Sequence, residues 1–306
     1  MFFSRLTNHN YYMKIKLLFV FLVLSLFSCS DDDSQSNSGN KKLDKIVTTS
    51  YNDNGSKAGY YVLYFDDQNR MVSNIQYDIS NTVMSKTESA YGQYGLSVVT
   101  IYNIDSSIPY YTFNYTYDNE GKLAAIETIS KEFGQETSST ETFTYNNDNT
   151  ISRNVGNWQY LFYKDSSGRI FKMTENDHVG EVVYEGENVT SYIVDDETTT
   201  YTFDDIHLPK GDHHKLIINQ FNGNMQNVIL SGGLPSVTFG ISKYVVAQST
   251  TSGSDVTYKY QFDSAGYPVK ILTKLAGENY PSQIREIIYK ANKKAIITMA
   301  FLLALC

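Results

Sequence analysis

The densest set of side chains able to do chemistry is Asp204-Asp205-Ile206-His207-Leu208-Pro209-Lys210-Gly211-Asp212-His213-His214. Imidazole and carboxylate ligate zinc and related divalent ions, so His207, Asp212, His213 and His214 are candidate metal ligands. Their spacing matches no established ligand pattern, and adjacent histidines rarely aim at one point; an exposed polar loop is the competing reading. There is no G-x-S-x-G elbow, no H-E-x-x-H pair and no phosphate-binding Gly-rich loop. Ser231-Gly232-Gly233, between Leu230 and Leu234, reads as a turn. Two carboxylates could meet across a sheet and hydrolyse a glycosidic bond, but among 33 Asp and Glu no pair stands out. No cofactor is expected. The aromatic inventory is 26 Tyr and 16 Phe against a single Trp, so most rings belong to sheet fabric. Trp158, beside Gly156 and Asn157, is the candidate for an exposed binding platform, with closure of a core end as the competing reading.

Cys29 carries the sharpest chemical signal. It follows a basic start, Met13-Lys14-Ile15-Lys16, and an apolar stretch from Leu17 to Phe27 interrupted only by Ser25. That stretch has the length of a signal-peptide core and is too short to span a bilayer. Leu26 three residues before the cysteine and Ser28 just before it resemble the lipobox of bacterial lipoproteins. The resemblance implies that the Cys29 thiolate takes a diacylglycerol and becomes the first mature residue. Met13 is the natural start. Asp31, Asp32 and Asp33 follow at once and open a polar tether, SDDDSQSNSGN, whose composition cannot pack. Three acids after such a cysteine also resemble the surface-export signal of Bacteroidetes lipoproteins; a plain acidic linker is the competing reading. Residues 1–28 hold three cations and no acid, so their removal takes the net charge from −8 to −11. A chain of that charge is repelled by anionic head groups, and attachment must come from acyl chains. The acidic balance also disfavours nucleic acid as a partner.

These residues are positioned by strands. Aromatic and small polar residues alternate in Tyr111–Tyr117 (YTFNYTY), Val256–Phe262 (VTYKYQF), Thr142–Tyr145 and Thr200–Phe203. A period of two marks a half-buried strand with its aromatic face inward. Nothing between 43 and 290 has the pattern of an amphipathic helix. The turns recur. Tyr117-Asp118-Asn119-Glu120-Gly121-Lys122-Leu123 is matched by Phe262–Pro268, Phe65–Met71, Tyr145–Ile151 and, with one inserted residue, Tyr163–Ile170. In each, an aromatic ends a strand, Asp or Asn caps the turn, and Gly or Asn supplies a positive φ before the next strand. The copies are unevenly spaced, which excludes a strict solenoid.

These hairpins resemble the YD repeats of Rhs-type and teneurin-type shells. Together with the lipobox, the acidic tether and the closing YQFDSAGYP and REIIYK segments, they resemble more closely a Bacteroidetes surface lipoprotein family of unknown function with a porin-like β fold. The resemblance runs from Cys29 to Lys290 and implies no assigned activity.

The expected architecture is all-β: a single large antiparallel meander of hairpins, strongly curved or barrel-like, with a signal helix and polar tether outside it. Residues 1–28 are the leader, 29–42 the lipidated tether, 43–290 the β domain and 291–306 an apolar tail. That tail reads either as a misplaced signal-like segment or as a final buried element. Strand faces rich in Thr, Asn, Lys and Gln argue against a membrane-spanning barrel, which needs an apolar outer band. The expected role is non-enzymatic binding or interaction at the bacterial cell surface, held to the outer membrane through Cys29. A glycan or small amphiphile, or an envelope protein, is the expected partner. A hydrolase using cross-strand carboxylates is the alternative.

Overall fold

The alternation of Tyr, Phe and Val with Thr, Ser and Asn builds strands and nothing else in the described part of the chain. The structure, a computed structural model, describes residues 41–103, 108–132, 134–176, 178–186, 188–194, 197–207, 244–251 and 254–290. The leader, the tether with Cys29 and Asp31–Asp33, the segment with Asp212, His213 and His214, and the tail after Lys290 lie outside these residues. The first nine strands are β1 (Leu43–Tyr51), β2 (Lys57–Phe65), β3 (Met71–Tyr77), β4 (Val83–Tyr91), β5 (Leu96–Asn103), β6 (Pro109–Tyr117), β7 (Leu123–Glu132), β8 (Gln135–Tyr145) and β9 (Thr150–Val155). They are followed by β10 (Trp158–Lys164), β11 (Ile170–Glu175), β12 (His178–Glu185), β13 (Asn188–Val194), β14 (Glu197–His207), β15 (Tyr244–Thr251), β16 (Ser254–Phe262), β17 (Pro268–Leu275) and β18 (Gln283–Tyr289).

Each strand pairs antiparallel with the one before it and the one after it. β1 also pairs with β18, from Leu43 opposite Tyr289 to Ser50 opposite Gln283. The order of hydrogen-bonded neighbours therefore returns to its first strand, which leaves neither terminal strand with an unpaired edge.

Register assigns the two faces. Ile46 stands opposite both Leu63 and Ile287, and Phe162 stands opposite both Ile151 and Met173. These residues belong to the core, and the face they share is the inner face. One cluster gathers Ile151, Phe162, Val182 and Tyr192, with Tyr258 of β16 packed against it. A second gathers Leu43, Ile46, Leu63 and Ile287, and a third Leu96, Tyr115, Leu123 and Phe143; Tyr145 packs against both the first and the third. The outer face carries charge in mid-strand. Lys172 reaches Glu181 across β11 and β12 at 3.0 Å, and Asn114 reaches Glu127 across β6 and β7 at 3.0 Å.

At one end of the strands, where even-numbered strands turn into odd ones, a single device recurs. Asp66 accepts from the amides of Gln68 and Arg70 at 2.8 and 2.9 Å and from the Arg70 guanidinium at 2.7 Å. Asp165 repeats this with Ser167 and Arg169. Asp118 and Asp263 take the same two amides of their own turns. Positive φ falls at Asn69, Gly121, Asn149, Gly168 and Gly266, as the turn signature requires. At Gly121 a Cβ would also sit 2.8 Å from the Tyr94 ring, so two constraints meet there.

The aromatic at the strand end then locks the hairpin. The Tyr91 hydroxyl donates to the carbonyl of Met71, Tyr117 to Leu96, Tyr184 to Ile170 and Tyr289 to Pro268, all at 2.7–2.9 Å. Arg70 lies 4.4 Å over the Tyr91 ring and Arg169 4.2 Å over Tyr184. In the β16–β17 turn the position of the arginine is held by Tyr267, and Lys41 supplies the cation from the start of the fold. Its ammonium pairs with Asp263 at 2.5 Å and lies 5.8 Å over Tyr289. Lys290 reaches Asp67 at 2.7 Å, and its amide donates to the carbonyl of Lys42. Both ends of the described chain are thus tied into this tyrosine rim.

Candidate functional site

The β9–β10 hairpin connects the packed core to the opposite end of the strands. Its turn is two residues long, with positive φ at Gly156, the first of them; this suits the right-handed twist of the flanking strands. Three cross-strand pairs share the inner face. Ile151 stands opposite Phe162, Arg153 opposite Tyr160, and Val155 opposite Trp158. Ile151 and Phe162 are fully buried, the Arg153 side chain is 17% exposed, and Trp158 is 54% exposed. Along this ladder the inner face passes from core, through a polar layer, to an open aromatic. Closure of a core end is therefore overturned as the reading of Trp158. A ring at the first position of β10, beside a two-residue turn, has too few neighbours above it to be covered.

The polar layer spans β8 to β12. Arg153 donates from Nε to Glu141 at 2.9 Å, and the Glu141 side chain is 16% exposed. The guanidinium lies 4.9 Å from the Tyr160 ring centre. Glu175 stands opposite Tyr160 on the next strand, and His178 stands opposite Glu175 on the one after. Burial, and then the hydrogen bond that the Tyr160 hydroxyl makes to Glu175, raise that hydroxyl above its ordinary pKa. Both carboxylates are thus engaged, Glu141 by a guanidinium and Glu175 by a phenol. Neither has the free, apolar-walled setting of a general acid.

Of the metal candidates, His207 is the last residue of β14 and pairs with Tyr244. Asp212, His213 and His214 are outside the described residues. Among the described residues no group of three His, Cys, Asp or Glu is placed to hold a metal ion. Trp158, the aromatic read from the sequence as a candidate platform, is the first residue of β10. The row beside it, Glu141, Arg153, Tyr160, Glu175 and His178, escapes sequence reading because its members come from five strands. A partial signal exists in the two-residue spacing of Trp158, Tyr160 and Phe162, which puts all three on one face.

No protein-family model matches the chain, and no curated relative matches it. Among solved structures, a porin-like protein from Bacteroides uniformis is similar with a TM-score of 0.44 and 13% identity, over 81% of this chain and 96% of that one. A porin-like protein from Bacteroides vulgatus gives 0.39 and 14%, over 83% and 100%. A structure of TcdB2-TccC3-TEV gives 0.29 and 12%, over 80% of this chain and 14% of that one. These values describe distant likeness in the course of the strands and say nothing about activity.

Proposed function

We propose that the chain is a lipid-anchored, non-enzymatic binding protein of the bacterial outer membrane, displayed at the cell surface, which meets its partner at the Trp158 end of the inner face. The observation that carries this is the graded inner face of β9 and β10, buried at Phe162 and open at Trp158. The half-exposed indole stands on one face with a row of hydrogen-bonding groups, which together offer a partner an aromatic surface and polar contacts. The lipid anchor rests on the lipobox at Cys29, and the surface location on Asp31–Asp33. An anchor at Cys29 joins the fold through Lys41, at the tyrosine rim, whereas Trp158 stands at the other end of its strand. The charged cross-strand pairs of the outer face favour water over lipid around the sheet. The engagement of Glu141 and Glu175 favours binding over acid–base hydrolysis.

The test is metabolic labelling with an alkyne fatty acid in a producing bacterium, followed by protease treatment of intact cells. Label is expected in the wild type and absent from Cys29→Ala. Digestion from outside is expected for the wild type and prevented by deletion of Asp31–Asp33. Label persisting in Cys29→Ala removes the anchor, and a protein protected in intact wild-type cells removes the surface location.

A further inference from the structure

We infer that the Trp158 end of the inner face is a site for a neutral glycan; this names the ligand class of the binding surface proposed above and rests on that reading. A lone exposed hydrophobic side chain is ordinary on a protein surface. The argument comes from what shares its face. Next along β10 is Tyr160, and across the neighbouring strands stand Arg153, Glu175 and His178. Strands are about 4.8 Å apart, so β9 to β12 span roughly 14–15 Å. That is room for several sugar rings rather than for one small ion.

A ligand for this surface must satisfy two demands at once. It needs an apolar patch to lie on the indole, because a hydroxylated or charged face would strip water from the ring without return. It also needs donors and acceptors at its edge, because Glu175 and His178, beside the indole on the same face, lose hydration when covered. An alkyl chain or an apolar peptide meets the first demand and fails the second. A pyranose meets both, with axial C–H groups on one face and hydroxyls at its edge.

Charge narrows the class. Arg153 is already paired with Glu141, so the remaining formal charge of the row is that of Glu175. An anionic sugar would face that carboxylate while the row's guanidinium is already committed to Glu141, and its desolvation would go poorly compensated. The row therefore selects for uncharged polyols. Arg153 and Tyr160 contribute chiefly by holding Glu141 and Glu175 in place, and the positions that meet the ligand are Trp158, Glu175 and His178.

The chain contains one tryptophan, so its indole emission reports Trp158 alone. The full-length protein, solubilised in detergent, is titrated with soluble starch dextrin, xylan and β-glucan, then with polygalacturonate and heparin, and with choline. A saturable change in emission is expected with at least one neutral glycan. Calorimetry with that glycan is expected to show at least a tenfold loss of affinity in Trp158→Ala, partial retention in Trp158→Phe, and a severalfold loss in Glu175→Gln, each with an unchanged melting temperature. Binding by Trp158→Ala as tight as wild type overturns the assignment. A response to polygalacturonate, heparin or choline, with none to the neutral glycans, overturns the glycan class and leaves a binding surface at Trp158. Silence across the whole panel overturns the site itself, and fatty-acid labelling at Cys29 then shows whether the anchored-protein reading stands without it.

Discussion

The two ends of the strands are built on different terms. At the tyrosine rim each local feature is used again. Asp66, Asp118, Asp165 and Asp263 cap turns in the same way, and Tyr91, Tyr117, Tyr184 and Tyr289 lock hairpins in the same way. Leu43, Leu96, Leu123 and Ile170, first residues of their strands, are buried there. At the opposite end the turns are mixed. Asp78 repeats the rim's device with Ser80, Thr82 and a positive φ at Asn81, but Gly156 makes a turn of two residues, and Tyr280 lies against Gly55 in a third. Ile79, Trp158 and Tyr280 are exposed there at 62%, 54% and 49%. A repeated, satisfied rim stabilises the ring, and an irregular rim with open aromatics is free to differ and to bind.

Changes that break the packed side of this comparison come first. Phe162→Ala empties the centre of the cluster under the β9–β10 hairpin and should cost about 3–5 kcal/mol, read as a shift in the urea midpoint. A loss below about 1 kcal/mol would mean that the tyrosine half is not the stability core.

Alkaline pH acts on many rim residues together. Burial pushes Tyr91, Tyr117 and Tyr184 up to about 12 from an ordinary 10.0, and it also raises Tyr289. The folded state holds these phenols neutral more tightly than the unfolded chain does. Their contribution is therefore complete below about pH 10 and is lost as pH rises through about 12. Urea melts from pH 9 to 12, with phenolate absorbance followed in parallel, should show stability falling only in that window and rim tyrosines ionising as the fold is lost. Titration of every tyrosine near 10 in the folded protein would contradict the locked rim.

Tyr184→Phe removes one lock and leaves the ring. The expected loss is about 1 kcal/mol, and the chain itself has Phe65 and Phe262 at the equivalent strand ends. Thermal denaturation of this variant sharpens the comparison, because a loss above about 3 kcal/mol would make the single hydroxyl, rather than the repeated set, the source of rigidity.

The smallest effect belongs to the open end. Trp158→Ala should change stability by no more than about 0.5 kcal/mol, measured in the same urea melts. A large loss would return Trp158 to the core and remove the contrast between the two ends.

Much of the tyrosine rim was legible in the chain. The turn segments from Phe65, Tyr117, Tyr145, Tyr163 and Phe262 carry their own positive-φ residue and their own cap, and both act within a few positions of sequence. The inward direction of Tyr111, Phe113 and Tyr115 was legible for the same reason, since a period of two needs no distant partner. Lys41 was not legible as the partner of Asp263. They are 222 positions apart, and the pairing exists because β1 returns beside β18. The candidate site was legible in one member only. Trp158 is conspicuous as a residue type, whereas Glu141, Arg153, Glu175 and His178 are ordinary charged residues until register lines them up.

The sequence by itself determined the strands, their turns and the inward face of each, because propensity and capping act over a few neighbouring residues. Tertiary structure alone decided that the meander closes on its first strand, that Lys41 completes the tyrosine rim, and that Trp158 stands open above a polar row. Those outcomes depend on which strands become neighbours and in what register. A shift of one residue would turn every side chain of a strand to the other face, and no local pattern records which partner holds that register in place.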